Sequence, residues 1–169
     1  MRPTLANRLD TWSRSLIPSL SLIALVLLSA IPSGLPGFTA TNPSYALIGI
    51  FYWTTFRSDR LPASMVFLIG LLQDILVGTP IGLSAVVLLA VYGVTLSQRR
   101  AMIGRPFYLL WLGFIAIAAG AIALAWLLAS ILATQPIPLI GIAMQLLITI
   151  AAFPFLVWLL VRIHRYIVT

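Results

Sequence analysis

The chain has 169 residues, of which 62% are hydrophobic and 8% charged, and 10 basic against 3 acidic side chains give it a formal net charge of +7. A mean hydropathy of +1.12 excludes an ordinary soluble globular domain, and the absence of cysteine excludes disulfides and thiolate metal sites. The composition therefore predicts an all-α, polytopic membrane protein that forms a single membrane domain over residues 1–169.

An N-terminal arm precedes the first apolar run. In residues 1–15, Leu5, Leu9 and Trp12 recur at helical spacing opposite arginines. This spacing predicts a cytoplasmic amphipathic arm, with a flexible basic tail as the alternative. A cleaved signal peptide is disfavoured because no clear small-residue cleavage site follows.

Six apolar runs follow the arm and predict six transmembrane helices at about 16–31, 43–56, 62–77, 80–97, 107–133 and 137–161. The second and third runs are short for a hydrocarbon core of about 30 Å. They are therefore expected to be partly buried in the bundle, to cross a thinned bilayer, or to form a re-entrant pair. Re-entry is disfavoured because it would bury Arg57, Asp59 and Arg60.

The basic side chains lie on alternate connections between these runs. All ten are arginine, and they precede the first run or follow the second, fourth and sixth: Arg2, Arg8, Arg14, Arg57, Arg60, Arg99, Arg100, Arg105, Arg162 and Arg165. Such a bias predicts that these connections and both termini are cytoplasmic. A nucleic-acid-binding tract would have no reason to alternate in this way, so no nucleic-acid partner is expected.

Segment 70–82 contains Asp74, the only carboxylate at membrane depth. A carboxylate at the centre of a spanning helix costs roughly 2.5–3.5 kcal/mol on insertion scales, so its charge needs compensation or a use. The Gly78-Thr79-Pro80 tripeptide predicts a break between two helices. Thr79 is then the expected N-cap, and Pro80 the first helical residue of the fourth run.

Three roles for Asp74 are open. In the first, Asp74 closes the hairpin by accepting hydrogen bonds from the backbone near Ile81 and Gly82. In the second, it contacts another helix or subunit, with Gln145 and Thr149 of the sixth run as candidates. In the third, it binds a ligand or a proton. Gln145 and Thr149, four residues apart, are themselves expected to form hydrogen bonds within the bundle.

Reactive side chains are scarce. The membrane-depth polar residues are chiefly Gln73, Asp74 and Gln145, and the single histidine, His164, lies among arginines at the predicted cytoplasmic edge. Catalysis of hydrolysis needs a nucleophile and a base within reach, or a set of metal ligands. Neither pattern is visible, so no enzymatic activity, cofactor or metal site is expected.

Two further patterns concern packing. Tryptophans near the predicted cytoplasmic ends are typical of an interfacial belt: Trp53, Trp111 and Trp158. Small residues share one face of the fifth run and would let a neighbouring helix approach closely: Gly113, Ala116, Gly120 and Ala123.

Together these patterns resemble the MreD family of bacterial rod-shape proteins. The most specific part is Gly70-Leu71-Leu72-Gln73-Asp74 followed by Gly78, Pro80 and Gly82, which is similar to the family's G-x-x-x-D-x-x-x-G-x-x-x-G hairpin. Asn42-Pro43 followed by Tyr52-Trp53 resembles the family's second span, and the segment from Pro154 to Arg162 resembles its closing span. The residues before Asn42 carry no matching motif.

The resemblance implies a non-enzymatic subunit of the cell-elongation complex in the bacterial inner membrane. Such a subunit binds the transmembrane helix of MreC and helps link MreB filaments, indirectly, to the peptidoglycan synthases, including RodA and its partner transpeptidase. The resemblance does not indicate whether the chain associates with a second copy of itself. The residues expected to contact partners or hold the structure are Gly70, Gln73, Asp74, Gly78, Pro80, Gly82, Tyr52, Trp53, Gly120, Gln145, Pro154 and Arg162.

The family resemblance also implies a six-helix fold shared with the S-components of energy-coupling-factor vitamin importers. The alternative function is therefore a substrate-binding subunit of a small-molecule importer. Its pocket would be lined by Asp74, Gln73, Gln145 and Tyr45 and would open to the non-cytoplasmic side. A membrane enzyme is the third and weakest alternative.

Overall fold

The computed structural model describes residues 5–31 and 42–168, with side chains described for 16–31 and 42–166. These residues form six α-helices and no strand: α1 Leu5–Ala30, α2 Tyr45–Arg57, α3 Ala63–Val77, α4 Leu83–Met102, α5 Phe107–Leu132 and α6 Leu139–Val168. A short 3-10 turn, Ser58–Arg60, joins α2 to α3. The predicted all-helical fold and the number of helices are confirmed. The N-terminal arm continues into the first run as one helix from Leu5, but its predicted amphipathic face lies outside the described side chains.

Two helices, α5 and the α6 segment Leu139–Tyr166, are long and apolar enough to cross a membrane among the described residues. Leu16–Ala30 of α1 and the whole of α3 are shorter apolar helices. Pro154 lies inside α6 without ending it, and the α6 helix runs on to Val168, beyond the predicted end of the sixth run.

Helix α2 is the centre of the bundle. All ten residues from Ala46 to Thr55 are buried, because α1, α4 and α6 pack around the helix. The Phe51 ring meets the Phe114 ring edge-on at a centroid distance of 5.2 Å and the Phe153 ring at 5.7 Å. A helix that is apolar on every side is expected to be buried in this way, and burial in the bundle is one of the alternatives that its short length predicted.

The arginine-bearing connections meet at one end of the bundle. Arg99, near the end of α4, donates a hydrogen bond to the hydroxyl of Ser58, and its guanidinium lies 3.9 Å from the Asp59 carboxylate. At the same end, the ring of Trp53 lies 5.8 Å from that of His164. We call this the arginine end; the clusters that follow the second, fourth and sixth runs therefore share one end of the fold, whereas the N-terminal cluster lies outside the described side chains.

The prediction that Trp53 belongs to an interfacial belt is wrong. Its side chain is completely buried, and its indole N–H donates a 2.8 Å hydrogen bond to the Ser21 hydroxyl of α1. A belt residue must reach the membrane surface, whereas the packing of α1 on α2 encloses this ring. Trp158, which is 55% exposed, and Trp111, which is 37% exposed, do lie on the surface.

The opposite end is held by uncharged polar contacts. The Asn42 amide donates to the Ser29 carbonyl at 3.0 Å and joins the end of α1 to the start of α2. The Ser44 N–H donates to the Thr149 hydroxyl at 3.1 Å, which joins α2 to α6. Together these two contacts join α1, α2 and α6 at this end of the bundle.

Candidate functional site

Asp74 is 1% exposed and lies three residues before the end of α3. One carboxylate oxygen accepts hydrogen bonds from the Thr79 hydroxyl at 2.7 Å and from the Ser84 N–H at 3.0 Å. The other accepts from the Gly82 N–H at 2.8 Å, and the Ser84 N–H also lies 3.2 Å from it. The carboxylate therefore holds the backbone amides at the start of α4, where helix N-terminal amides are otherwise unpaired and the dipole is positive.

This geometry confirms the first of the three roles, closure of the hairpin through the backbone near Gly82. The contact proposed with the sixth run is not made inside the chain. The Gln145 side-chain amide instead donates to the Asn42 carbonyl at 3.3 Å, and the Thr149 hydroxyl donates to the Gln145 carbonyl at 2.7 Å. Gln145 and Thr149 do form hydrogen bonds within the bundle, as their spacing predicted.

The turn between α3 and α4 differs from the prediction in its register. Helix α4 begins at Leu83, so Pro80 is an exposed turn residue and Thr79 is not the N-cap. Gly82 occupies the N-cap position with a φ of 99°, a left-handed conformation that side chains rarely adopt. Because Asp74 supplies the acceptor for the first amides of α4, the hydroxyl of Thr79 donates to that carboxylate instead of capping the helix.

Two glycines of the motif, Gly70 and Gly78, are needed for different physical reasons. A Cβ on Gly70 would lie 2.4 Å from the Ala85 Cα, so glycine is required for the close approach of α3 to α4. Gly78 ends α3 with a φ of 77°, and its N–H donates to the Asp74 carbonyl at 2.9 Å. The hairpin is thus defined by close packing at one glycine and by left-handed turns at the others.

A cavity of about 250 Å³ adjoins the hairpin, between α2, α3, α4, α5 and α6. Gln73 and Gln145 line it, as the importer alternative requires, but Asp74 and Tyr45 do not. The carboxylate faces the turn amides rather than the cavity, so the predicted composition of the pocket is wrong at these two positions. Trp126 also lines the cavity, and its indole N–H lies 3.5 Å from the Ile137 carbonyl.

The small-residue face of α5, defined as Gly113, Ala116, Gly120 and Ala123, points away from the bundle. At Gly113 a Cβ would lie 3.0 Å from the Met102 methyl. The other three are exposed, and a Cβ on Gly120 would have no atom within 4 Å among the described residues. The face is therefore unused by the internal packing that the structure describes.

The remaining predicted residues lie in separate places. Tyr52 is 5% exposed and packs its ring against Trp53 at 5.5 Å and Phe56 at 5.0 Å. Arg162 places its guanidinium 5.1 Å from the centre of the Trp158 ring, an attractive cation–π geometry. Pro154 is exposed on α6. The ring and cation–π contacts described for Tyr52 and Arg162 do not involve a residue of the hairpin.

Sequence reasoning missed Ser84 and Ser21. Ser84 contributes a backbone amide to the carboxylate, so its side chain carries no signal of the role. Ser21 bonds to a tryptophan 32 positions away, and only the packing of α1 on α2 reveals that pair. Among the described residues, no group of three or more histidine or acidic side chains could hold a metal ion.

Comparison with known protein families gives a match over most of the chain. A family model described as MreD, rod shape-determining protein MreD, matches residues 11–167. Comparisons with curated proteins and with solved structures found no match. The matched region includes the whole Asp74 hairpin, the buried helix α2 and the outward face of α5.

Proposed function

Because this chain belongs to the MreD family of rod shape-determining proteins, we propose that it is a multi-pass subunit of the bacterial inner membrane that supports cell elongation without catalysing a reaction. The family match extends over nearly the whole chain and carries this proposal. The resemblance first indicated by the hairpin is thereby confirmed at the level of the family. The likeness to importer S-components stays a prediction.

The proposed task is to bind the transmembrane helix of MreC on the small-residue face of α5. Small residues allow helix backbones to approach closely, which is a main source of helix association in lipid. Support comes from the exposure of Ala116, Gly120 and Ala123 and from the open space around Gly120. A glycine whose Cβ would meet nothing inside the described fold has no internal packing reason to be small.

The arginine end is proposed to lie at the inner membrane surface. Clustered arginines near helix ends favour the cytoplasmic side and anionic headgroups. This orientation would place both termini in the cytoplasm, on the side of the MreB filaments. Contact with RodA and its partner transpeptidase would then follow through MreC or through other membrane faces of the bundle.

Bulky replacements of three glycines test the docking face. Gly120→Leu should reduce the amount of co-purified MreC by about tenfold, equivalent to about 1.4 kcal/mol, while the thermal midpoint of the isolated chain stays at the wild-type value. Gly93 on α4 is the matched control, since it is exposed and also has open space around its Cβ position. Gly93→Leu should leave MreC binding unchanged.

Gly82→Leu separates loss of fold from loss of docking. The left-handed backbone at Gly82 should make this variant less stable and so reduce MreC binding indirectly. If Gly120→Leu retains full MreC binding and restores rod shape in cells that lack the protein, the α5 face is not the docking site. If neither Gly120→Leu nor Gly82→Leu alters binding or cell shape, the assignment of these two glycines to docking and to the hairpin is contradicted.

A further inference from the structure

The cavity beside the hairpin is large enough for more than water. Its volume is about 250 Å³, whereas a single ordered water needs roughly 10–15 Å³ of such space. Helix ends and the turn after α3 contribute polar side chains, including Gln73, Ser84 and Gln145. Apolar side chains, including Ala121 and Ile122 deeper along α5, line the rest.

The described lining carries no charged side chain. Asp74 is the nearest candidate in sequence, but its oxygens accept hydrogen bonds from Thr79, Gly82 and Ser84. An ionised ligand would therefore have no opposite charge in the lining to compensate its own, and burial without such compensation is unfavourable. The chemistry selects a neutral ligand.

One residue of the cavity lining, Gln73, carries an acceptor without a partner among the described residues. The Gln73 carbonyl oxygen, Oε1, is buried and accepts no hydrogen bond in the part of the chain that the structure describes. Buried acceptors are normally satisfied, and one that is not identifies a place for a water or a ligand donor. The neighbouring Gln145 amide is already engaged with the Asn42 carbonyl.

We propose that this cavity binds a neutral amphiphile whose hydroxyl or amide group donates a hydrogen bond to Gln73 Oε1 while its apolar part packs against Ala121 and Ile122. Such a molecule could come from the bilayer, as a monoacylglycerol, or from water, as a small neutral alcohol. This site lies on the inward side of α5 and is independent of the proposed MreC face.

Thermal unfolding of the purified full chain with four probes tests the chemistry. We expect 1-monooleoylglycerol to raise the midpoint more than methyl oleate, which lacks a donor, and more than oleate, which is charged. Benzyl alcohol tests the aqueous source. A midpoint shift with monooleoylglycerol alone assigns the ligand to the bilayer, and a shift with benzyl alcohol alone assigns it to water. Either shift supports the proposal if the shift depends on residues of the cavity.

Two variants test that dependence. Gln73→Leu should weaken the apparent affinity for the hydroxyl probe about tenfold, the change expected from one lost hydrogen bond, without lowering the stability of the ligand-free chain. Ala125→Leu should abolish the response to every probe because Ala125 lines the cavity. Gln98→Leu and Ala90→Leu are matched controls at exposed positions of α4 and should respond like the wild type.

Equal responses of the wild type and both cavity variants would overturn the proposal, since they would indicate binding to the outer surface. A preference for oleate, or no preference for monooleoylglycerol over methyl oleate, would overturn it as well. If no probe shifts the wild type, water alone satisfies Gln73 and the proposal fails.

Discussion

Replacing Asp74 by asparagine should destabilise the fold more than any other single charge removal. The carboxylate accepts from the Thr79 hydroxyl at 2.7 Å, the Gly82 N–H at 2.8 Å and the Ser84 N–H at 3.0 Å. Asparagine keeps one acceptor oxygen and turns an NH₂ group toward a donor. One charge-assisted bond is then lost, about 1.5–3 kcal/mol, and two others become neutral bonds of about half the strength.

The expected loss is therefore roughly 3–6 kcal/mol, which overlaps the range of about 3–5 kcal/mol found when one partner of a buried charged pair is removed. For a chain of this size that corresponds to a fall of about 10 °C in the thermal midpoint. Tryptophan fluorescence of the purified full chain reports it, because Trp53 is buried in the core and Trp126 lines the adjoining cavity.

Asp59→Asn is the control for this experiment. Asp59 is largely exposed, and its 3.9 Å ion pair with Arg99 should contribute less than about 1 kcal/mol. If Asp74→Asn unfolds at the same temperature as Asp59→Asn, the carboxylate does not hold the start of α4. The assignment of Asp74 to hairpin closure would then be wrong.

Two further predictions concern helix contacts. Gly70→Ala would place a Cβ 2.4 Å from the Ala85 backbone and should lower the free energy of unfolding by about 3 kcal/mol or more, because it forces α3 away from α4. Gly93→Ala is the control, since Gly93 has open space around its Cβ position, and it should not lower the thermal midpoint. Equal midpoints for both variants would contradict the close approach of α3 to α4. In a double-mutant cycle, Trp53→Phe and Ser21→Ala should show a coupling free energy of about 0.5–1.5 kcal/mol from the 2.8 Å hydrogen bond between the two side chains. Additive effects on the free energy of unfolding would show that this hydrogen bond contributes nothing to stability.

Sequence reasoning was most accurate where the interacting groups are close along the chain. Asp74 and Gly82 are eight positions apart, and the glycine spacing restricts the intervening turn, so the carboxylate-to-backbone contact could be predicted. The predicted start of α4, Pro80, lies three residues before the observed start at Leu83. The prediction assumed that Thr79, the residue next to Pro80 in sequence, would cap the helix. An acceptor from the preceding helix takes that role in the fold.

Burial was the least predictable property. Trp53 and Trp158 have the same side chain near the same end of the bundle, yet the first is completely buried and the second 55% exposed. The outcome for Trp53 depends on α1, whose Ser21 is distant in sequence. The cavity lining likewise combines five helices, and local periodicity carries no information on such a combination.

By itself, the sequence determined the helical class, the number of helices, the grouping of the described arginine clusters and the Asp74 hairpin. Those features follow from hydropathy, charge and turn chemistry, which act over short distances along the chain. The tertiary structure alone decided that α2 is enclosed, that the small-residue face of α5 points outward and that Gln73, not Asp74, lines the cavity. Those features depend on which faces of distant helices meet, because in an apolar solvent both faces of a helix can be apolar and only packing distinguishes them.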